Sequence, residues 1–277
     1  MLDLMRRYAF GFVNSHDPAV ARQIMRPDYR LNMGHDCLVG RDDAYIPAVL
    51  HQMAQFPQLG FSIHELVTDG TMTALSFSEH GRSVRSPGAE ATWRGVSIYR
   101  VEGEQLAECW VEQDHFGRRR QLADGVVDPV GQVAVDPWSG HEPVPDTERN
   151  AGLAAVEQWA STLRVWPPTD ASLDAGCAAE AQPRLDVSGA KVHACVVEGQ
   201  RVAFNATVSG TYRGGLPDLE NLDRPVDIHT GAFATVTSTG LENLEGVTNR
   251  VAVQRQLRAD ASTGSIHNRE EDGTHVD

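Results

Sequence analysis

The chain has 277 residues, 41% of them hydrophobic and 22% charged, which is enough for one large core or two of ordinary size. Its formal charge of −14 argues against a nucleic-acid binder, which needs Lys and Arg clustered on one face, and the dense basic run Arg118–Arg120 reads as a solvated strand end or ion-pair partner, with an anion site as the alternative. No apolar run approaches the roughly 20 residues of a membrane span, the N-terminus has no signal-peptide pattern, and Cys37, Cys109, Cys177 and Cys195 lack paired spacing and read as reduced thiols, so a soluble cytoplasmic protein is expected.

Leu2 to Asn14 gathers bulky apolar residues on one side of a helix. In SHDPAVARQIM, Asp17 is placed to cap a second helix and Pro18 to take its first position, where a missing N–H costs nothing. A short strand, Tyr29 to Met33, precedes a third helix in GRDDAYIPAVLHQMAQF. From Phe61 the pattern changes to strands: FSIHELVTDG, TMTALSFSEHG, ATWRGVSIYRVEG and EQLAECWVEQDHF, with Asp69-Gly70 and Glu102-Gly103 as hairpin signals. Residues 1–124 thus read as helices followed by an antiparallel meander.

Residues 125–147 are rich in proline and glycine and lack periodicity, as expected of a linker. The order then repeats in 148–260: a helix from Glu148 to Leu163, a short helix from Asp170 to Ala179, and strands near Lys191–Glu198, Arg201–Thr211, Val226–Ser238 and Glu242–Arg258. The polar residues 261–277 read as a disordered tail. His64–Ala74 aligns with His193–Ala203, and both terminal strands are expected to run into Arg-Gln-Leu, at Arg120–Leu122 and Arg255–Leu257. The second copy has no counterpart of the helix Asp42–Phe56. The expected fold class is α+β: two tandem cone-shaped domains, each a curved, mostly antiparallel sheet packed on N-terminal helices.

In AECWVEQDHF, alternation puts Glu108, Trp110, Glu112 and Asp114 on one face and Cys109, Val111, Gln113 and His115 on the other. If the first face lines a cavity, Trp110 supplies an apolar wall and Asp114 a desolvated carboxylate able to move protons near neutral pH. The other reading is a solvated face.

The segment WVEQDHFGRRRQL, through Trp110, Asp114 and Gln121-Leu122, resembles the closing strand of the SnoaL-like polyketide cyclases of the nuclear transport factor 2-like superfamily. The element order of residues 2–124 is similar too, and the second half looks like a degenerate member. The resemblance implies an acid/base aspartate at Asp114 and closure of a ring without metal or cofactor. The pocket-edge segment YRLNMGHDCLVG would add His35 and Asp36 as catalytic candidates and Tyr29 and Asn32 as substrate contacts, with Trp93 and Trp110 as walls and Glu112 beside them. Tandem epoxide hydrolases of similar architecture suggest an alternative pair, Asp36 with Glu65.

No Asp or Glu occurs from Gly246 to Leu257, so the second copy lacks the acid; the counterpart of Asp114 is Asn249 or Val251. That copy is expected to replace a partner subunit as an intrachain pseudo-dimer, with a homodimer also open. No histidine pair has ligand spacing, and no metal or cofactor is implied. The expected partner is a hydrophobic, carbonyl-bearing small molecule, with no nucleic acid and no membrane. The expected activity is cyclisation, isomerisation, dehydration or retro-aldol cleavage; the rival is a non-catalytic binding or assembly protein.

Overall fold

The computed structural model describes residues 1–86, 88–174, 181–220 and 222–267. The chain opens with α1 (Leu2–Arg6, continued by a π-helical stretch Arg7–Asn14) and α2 (Pro18–Ile24), which the Asp17 carboxylate caps by accepting from Ala19 N at 2.9 Å. Strands β1 (Met25–Met33) and β2 (Asp36–Val39) follow, then a π-helical turn, Arg41–Tyr45, leading into α3 (Ile46–Gln55). The meander is β3 (Gly60–Thr68), β4 (Met72–Arg82), β5 (Glu90–Glu102) and β6 (Gln105–Gln113), closed by α4 (His115–Asp124). Gly70 and Gly103 turn two of its hairpins at φ +86° and +60°, a region that suits glycine.

The second half comprises α5 (Asp146–Thr162), β7 (Val165–Trp166), β8 (Ala171–Leu173), β9 (Leu185–Glu198), β10 (Arg201–Tyr212), β11 (Pro225–Thr237), β12 (Gly240–Thr248) and α6 (Arg250–His267). Each half holds one six-stranded sheet, ordered β2-β1-β6-β5-β4-β3 and β7-β9-β10-β11-β12-β8. Both sheets are antiparallel except for one parallel pair, β1 with β6 and β12 with β8. The fold is α+β in both halves.

Three sequence expectations change. The Arg-Gln-Leu segments lie in helices α4 and α6, because Asp114 and Asn249 end the preceding strands and cap those helices: Gly117 N donates to Asp114 Oδ1 at 2.8 Å and Ala252 N to Asn249 Oδ1 at 3.1 Å. This fixes Asn249 as the counterpart of Asp114. The expected helix Asp170–Ala179 begins instead as β8, and residues 175–180 lie outside the described residues. Residues 261–267 continue α6, while 268–277 lie outside the described residues.

The shared glutamine has a physical reason. Gln121 clamps Thr92 of β5 through both main-chain groups, accepting from its N–H at 2.9 Å and donating to its carbonyl at 2.6 Å. Gln256 does the same to Asp227 of β11, at 2.9 and 2.8 Å. Each side-chain amide extends the ladder beyond the last paired strand residue and docks the terminal helix. Gln121→Met should therefore lower unfolding free energy by about 1–3 kcal/mol, since buried Thr92 main-chain groups lose their partner; urea denaturation reads it, and an unchanged midpoint would contradict this role.

The two sheets pack on each other through their non-helical faces. Val67, Ala74, Val96 and Ile98 of the first meet Ala194, Val196, Ala203, Phe233 and Val247 of the second, with Trp110 beside them. A Cβ at Gly231 would stand 2.8 Å from Val96 Cβ, so this glycine lets the sheets approach closely. The opposite faces pack on helices, as the core of Phe12, Tyr29, Phe56, Phe77 and Trp93 in the first half and of Trp166, Tyr212, Phe204 and Val253 in the second.

Candidate active site

A cavity of about 410 Å³ opens between the first sheet and its helices, a volume suited to one small molecule. Its walls are mainly apolar and aromatic: Tyr8, Leu31, Met33, Tyr45, Val49, Leu59, Phe61, Phe77, Tyr99 and Val111. Its polar side chains come from four elements: Gln52 of α3, Glu79 of β4, Gln113 of β6 and His115 at the start of α4, with Asp36 of β2 at the exposed rim.

Glu79 is the buried acid of this cavity. It follows Leu75 and Phe77 on the inward face of β4, directly opposite Trp93 on β5. Its Oε2 accepts from Gln52 Nε2 at 2.7 Å, and the Trp93 indole N–H also faces the carboxylate. Desolvation raises its pKa to about 7, against the smaller opposing effects of Gln52 and the Arg118 guanidinium. Arg118 lies 5.0 Å over the Trp93 ring. His115 is half-buried; desolvation and the neighbouring Arg118, Arg119 and Arg255 charges lower its pKa to about 3, so the ring is neutral at pH 7. Burial likewise holds the phenols of Tyr8, Tyr45 and Tyr99 protonated.

The alternation read from β6 holds, but the face assigned to the cavity is the other one. Cys109, Val111, Gln113 and His115 line it. Glu108, Trp110, Glu112 and Asp114 face outward or toward the second half. Asp114 lies outside the cavity: besides capping α4, its Oδ1 accepts from Arg250 Nη2 at 2.5 Å, and Arg250 also approaches Asp174, with Nε 3.4 Å from Oδ2. Arg250 is wholly buried and lies 4.6 Å over the Phe116 ring. The second sheet packs against this outward face, which lines no part of the cavity.

The remaining expected residues separate in the same way. Glu112 accepts from Gly34 N at 2.9 Å, and Asn249 and Asn205 flank it; burial raises its pKa to about 8. His35 meets His229 of the second half, with Nε2 atoms 3.4 Å apart. Asn32 donates to Glu108 Oε1 and the Cys109 carbonyl at 3.0 and 3.2 Å. Tyr29 packs 4.9 Å from the Tyr45 ring, behind the cavity wall, and Trp93 stands behind Gln113 and Glu79. Glu65 forms a two-bond ion pair with Arg201, both at 2.7 Å, so it and Asp36 serve different faces and share no common water site. The sequence reading did not single out Glu79, Gln52, Gln113 or His115 as site residues. The available signal was a carboxylate extending the inward series Thr73, Leu75, Phe77 on β4.

Among the described residues, no group of three or more His, Cys, Asp or Glu side chains is placed to hold a metal ion. No helix among them is long and apolar enough to cross a membrane. In the second half Leu163, Trp166, Tyr212, Leu216 and Leu257 form one buried cluster among the described residues.

The shifted groups set a pH dependence of stability. Glu79 and Glu112 have folded pKa values above their ordinary 4.5, so the folded state binds more protons and stability falls as pH rises toward 8. His115 and His229, lowered to about 3 and about 4, oppose this only below their unfolded value of 6.5. Unfolding free energy should thus decline between pH 6.5 and 8, and Glu112→Gln should flatten that decline. A stability rising over this window in urea titrations would contradict it.

The family model for the SnoaL-like domain matches residues 5–109. No curated protein matches the chain. Among solved structures, the chain is similar to IdmH, a proposed polyketide cyclase from Streptomyces antibioticus (19% identity, TM-score 0.39, 44% of this chain and 96% of that one). It is also similar to TsrD from Streptomyces laurentii (23%, TM-score 0.39, 43% and 92%) and to a proposed SnoaL-like polyketide cyclase from Jannaschia sp. CCS1 (15%, TM-score 0.41, 44% and 90%). Residues 5–109 of this chain are a SnoaL-like domain.

Proposed function

We propose that the first half, residues 1–124, is a cofactor-independent acid/base enzyme that binds a hydrophobic, carbonyl-bearing small molecule and rearranges it by proton transfer, with Glu79 as the acid/base. The observation that carries this is a buried carboxyl with a pKa of about 7 in the wall of an apolar cavity. A group titrating near working pH both takes and returns a proton efficiently. Cyclisation, isomerisation, dehydration and retro-aldol cleavage share that step: a C–H proton passes to the carboxylate while the developing oxyanion takes a hydrogen bond. In this cavity the donor to that oxygen is the Gln113 amide or the Gln52 amide. The second half, residues 148–260 after the linker 125–147, is a scaffold: its sheet covers the outer face of the first, and its own interior is packed. One chain so provides the sheet-on-sheet contact of a dimer.

Removal of an α-proton can be followed without the natural substrate. Incubated in D₂O with enolisable aryl ketones such as 2-tetralone, the full chain should exchange the α-protons faster than buffer, read by ¹H NMR. No acceleration with any ketone that shifts the cavity methyl signals of Leu31 or Val111 would contradict the proposal.

A further inference from the structure

Gln113 makes two hydrogen bonds whose chemistry leaves one solution. Its Oε1 lies 3.1 Å from Trp93 Nε1 and 3.0 Å from His115 Nε2. An indole N–H only donates, and this one is shared between the Glu79 carboxylate and Gln113, so the Gln113 atom facing it is the accepting oxygen. An amide oxygen only accepts, so the His115 nitrogen facing it carries the hydrogen. A neutral imidazole has one N–H, which leaves His115 Nδ1 with its lone pair available.

The surroundings agree. His115 lines the cavity, and with Nε2 engaged by Gln113 the ring nitrogen left for a ligand is Nδ1. The strand geometry supplies rigidity: Trp93 sits on β5, paired with β4 and β6, is almost wholly buried against Phe56, and lies on the same strand two residues from Gly95, which faces Gln113 across the ladder. We infer that Trp93 is a positioning residue which, acting through Gln113, holds His115 as the Nε2–H tautomer, so that Nδ1 is a fixed acceptor selecting ligands that bring a hydroxyl or N–H to it. This rests on the cavity being the ligand site, but not on Glu79 as the acid/base.

The consequence is a substrate class narrower than an apolar ketone: an apolar molecule with a hydroxyl, phenolic or enolic, at the His115 end of the cavity. An imidazole free to choose its tautomer would accept donors and acceptors alike; one fixed by Gln113 does not, and a ligand acceptor placed against Nδ1 would face an unmatched lone pair.

The test uses the full chain labelled with ¹⁵N-histidine, the His115 signals being assigned by their loss in His115→Asn. Long-range ¹H–¹⁵N spectra at pH 7 should show the Nε2–H tautomer alone for His115. Trp93→Phe keeps a ring in place but removes the donor, freeing the Gln113 amide to turn over, and should give mixed tautomers. Gln113→Leu, which removes the acceptor, should do the same and serves if Trp93→Phe does not fold, near-UV circular dichroism reporting the fold. Wild type should bind 2-naphthol roughly three- to tenfold more tightly than naphthalene, one hydrogen bond's worth, and the ratio should approach one in the folded variants. An Nδ1–H tautomer in the wild type, an unchanged tautomer in both variants, or equal wild-type affinity for the two probes would overturn the inference. The tautomer is read without turnover, so its failure and a failure of Glu79 as acid/base are told apart.

Discussion

Replacing Glu79 by Gln should lower the α-proton exchange of 2-tetralone by about 10²–10⁴-fold, the usual contribution of a positioned general base. Glutamine keeps the shape and a hydrogen bond to Gln52 but cannot take a proton, so the binding of the ketone should change little. The variant should also fold well: the buried carboxyl is costly to ionise, and a neutral amide removes that cost at pH 8. The companion variant, Asp114→Asn, should leave exchange within a few-fold of wild type, because Asp114 faces Arg250 rather than the cavity. If Asp114→Asn abolished exchange in a folded protein while Glu79→Gln did not, the acid/base would be Asp114, as its place in the closing segment first suggests.

Arg250→Ala should be the most destabilising of the changes considered, lowering unfolding free energy by about 3–5 kcal/mol. The wholly buried guanidinium lies between Asp114 of the first half and Asp174 of the second, and its removal leaves two carboxylates in a dry environment without their counter-charge. Asp174 already has a raised pKa, chiefly from burial, with Arg250 as the largest opposing effect. In the variant Asp174, having lost that opposing charge, should titrate higher still. Carboxyls with raised folded pKa values stabilise the folded state as pH falls, so the deficit should shrink from pH 8 toward pH 5. Urea denaturation across that range measures it; a deficit below about 1 kcal/mol, or one independent of pH, would show that the triad does not join the halves.

Much of the architecture was legible in the sequence because hydrophobic period and turn chemistry are local. Asp17-Pro18 started α2 as expected, Gly70 and Gly103 turned their hairpins, and the paired histidines and glycines marked the repeat. The structure extends that repeat to atoms: His64 meets Ser78 at 2.6 Å and His193 meets Thr207 at 2.7 Å in equivalent positions. Where strands became helices, the deciding interaction was a cap. Asp114 and Asn249 read equally well as strand residues until the main-chain donors that they satisfy are seen.

The site was less legible, for a physical reason. Alternation separates the two faces of β6 but says nothing about what covers each one. A face with three carboxylates and a tryptophan resembles a reaction site or a wet surface; here Asp114 is met by Arg250, Glu108 by Arg100, and Glu112 by Asn205 and Asn249, and Arg250 and both asparagines lie more than 90 residues away in sequence. The chemistry of the opposite face depends on one carboxylate, Glu79, whose significance comes from being buried among aromatics. Burial is a property of the assembled fold, not of the strand.

The most direct measurement is the titration of Glu79 itself, by ¹³C-detected NMR on the full chain labelled at glutamate side-chain carboxyls, with Glu79→Gln to assign the signal. A midpoint near pH 7 is expected, and it should shift when 2-tetralone fills the cavity. A midpoint near 4.5, or one that the ketone leaves unmoved while it binds, would contradict the placing of the chemistry at Glu79.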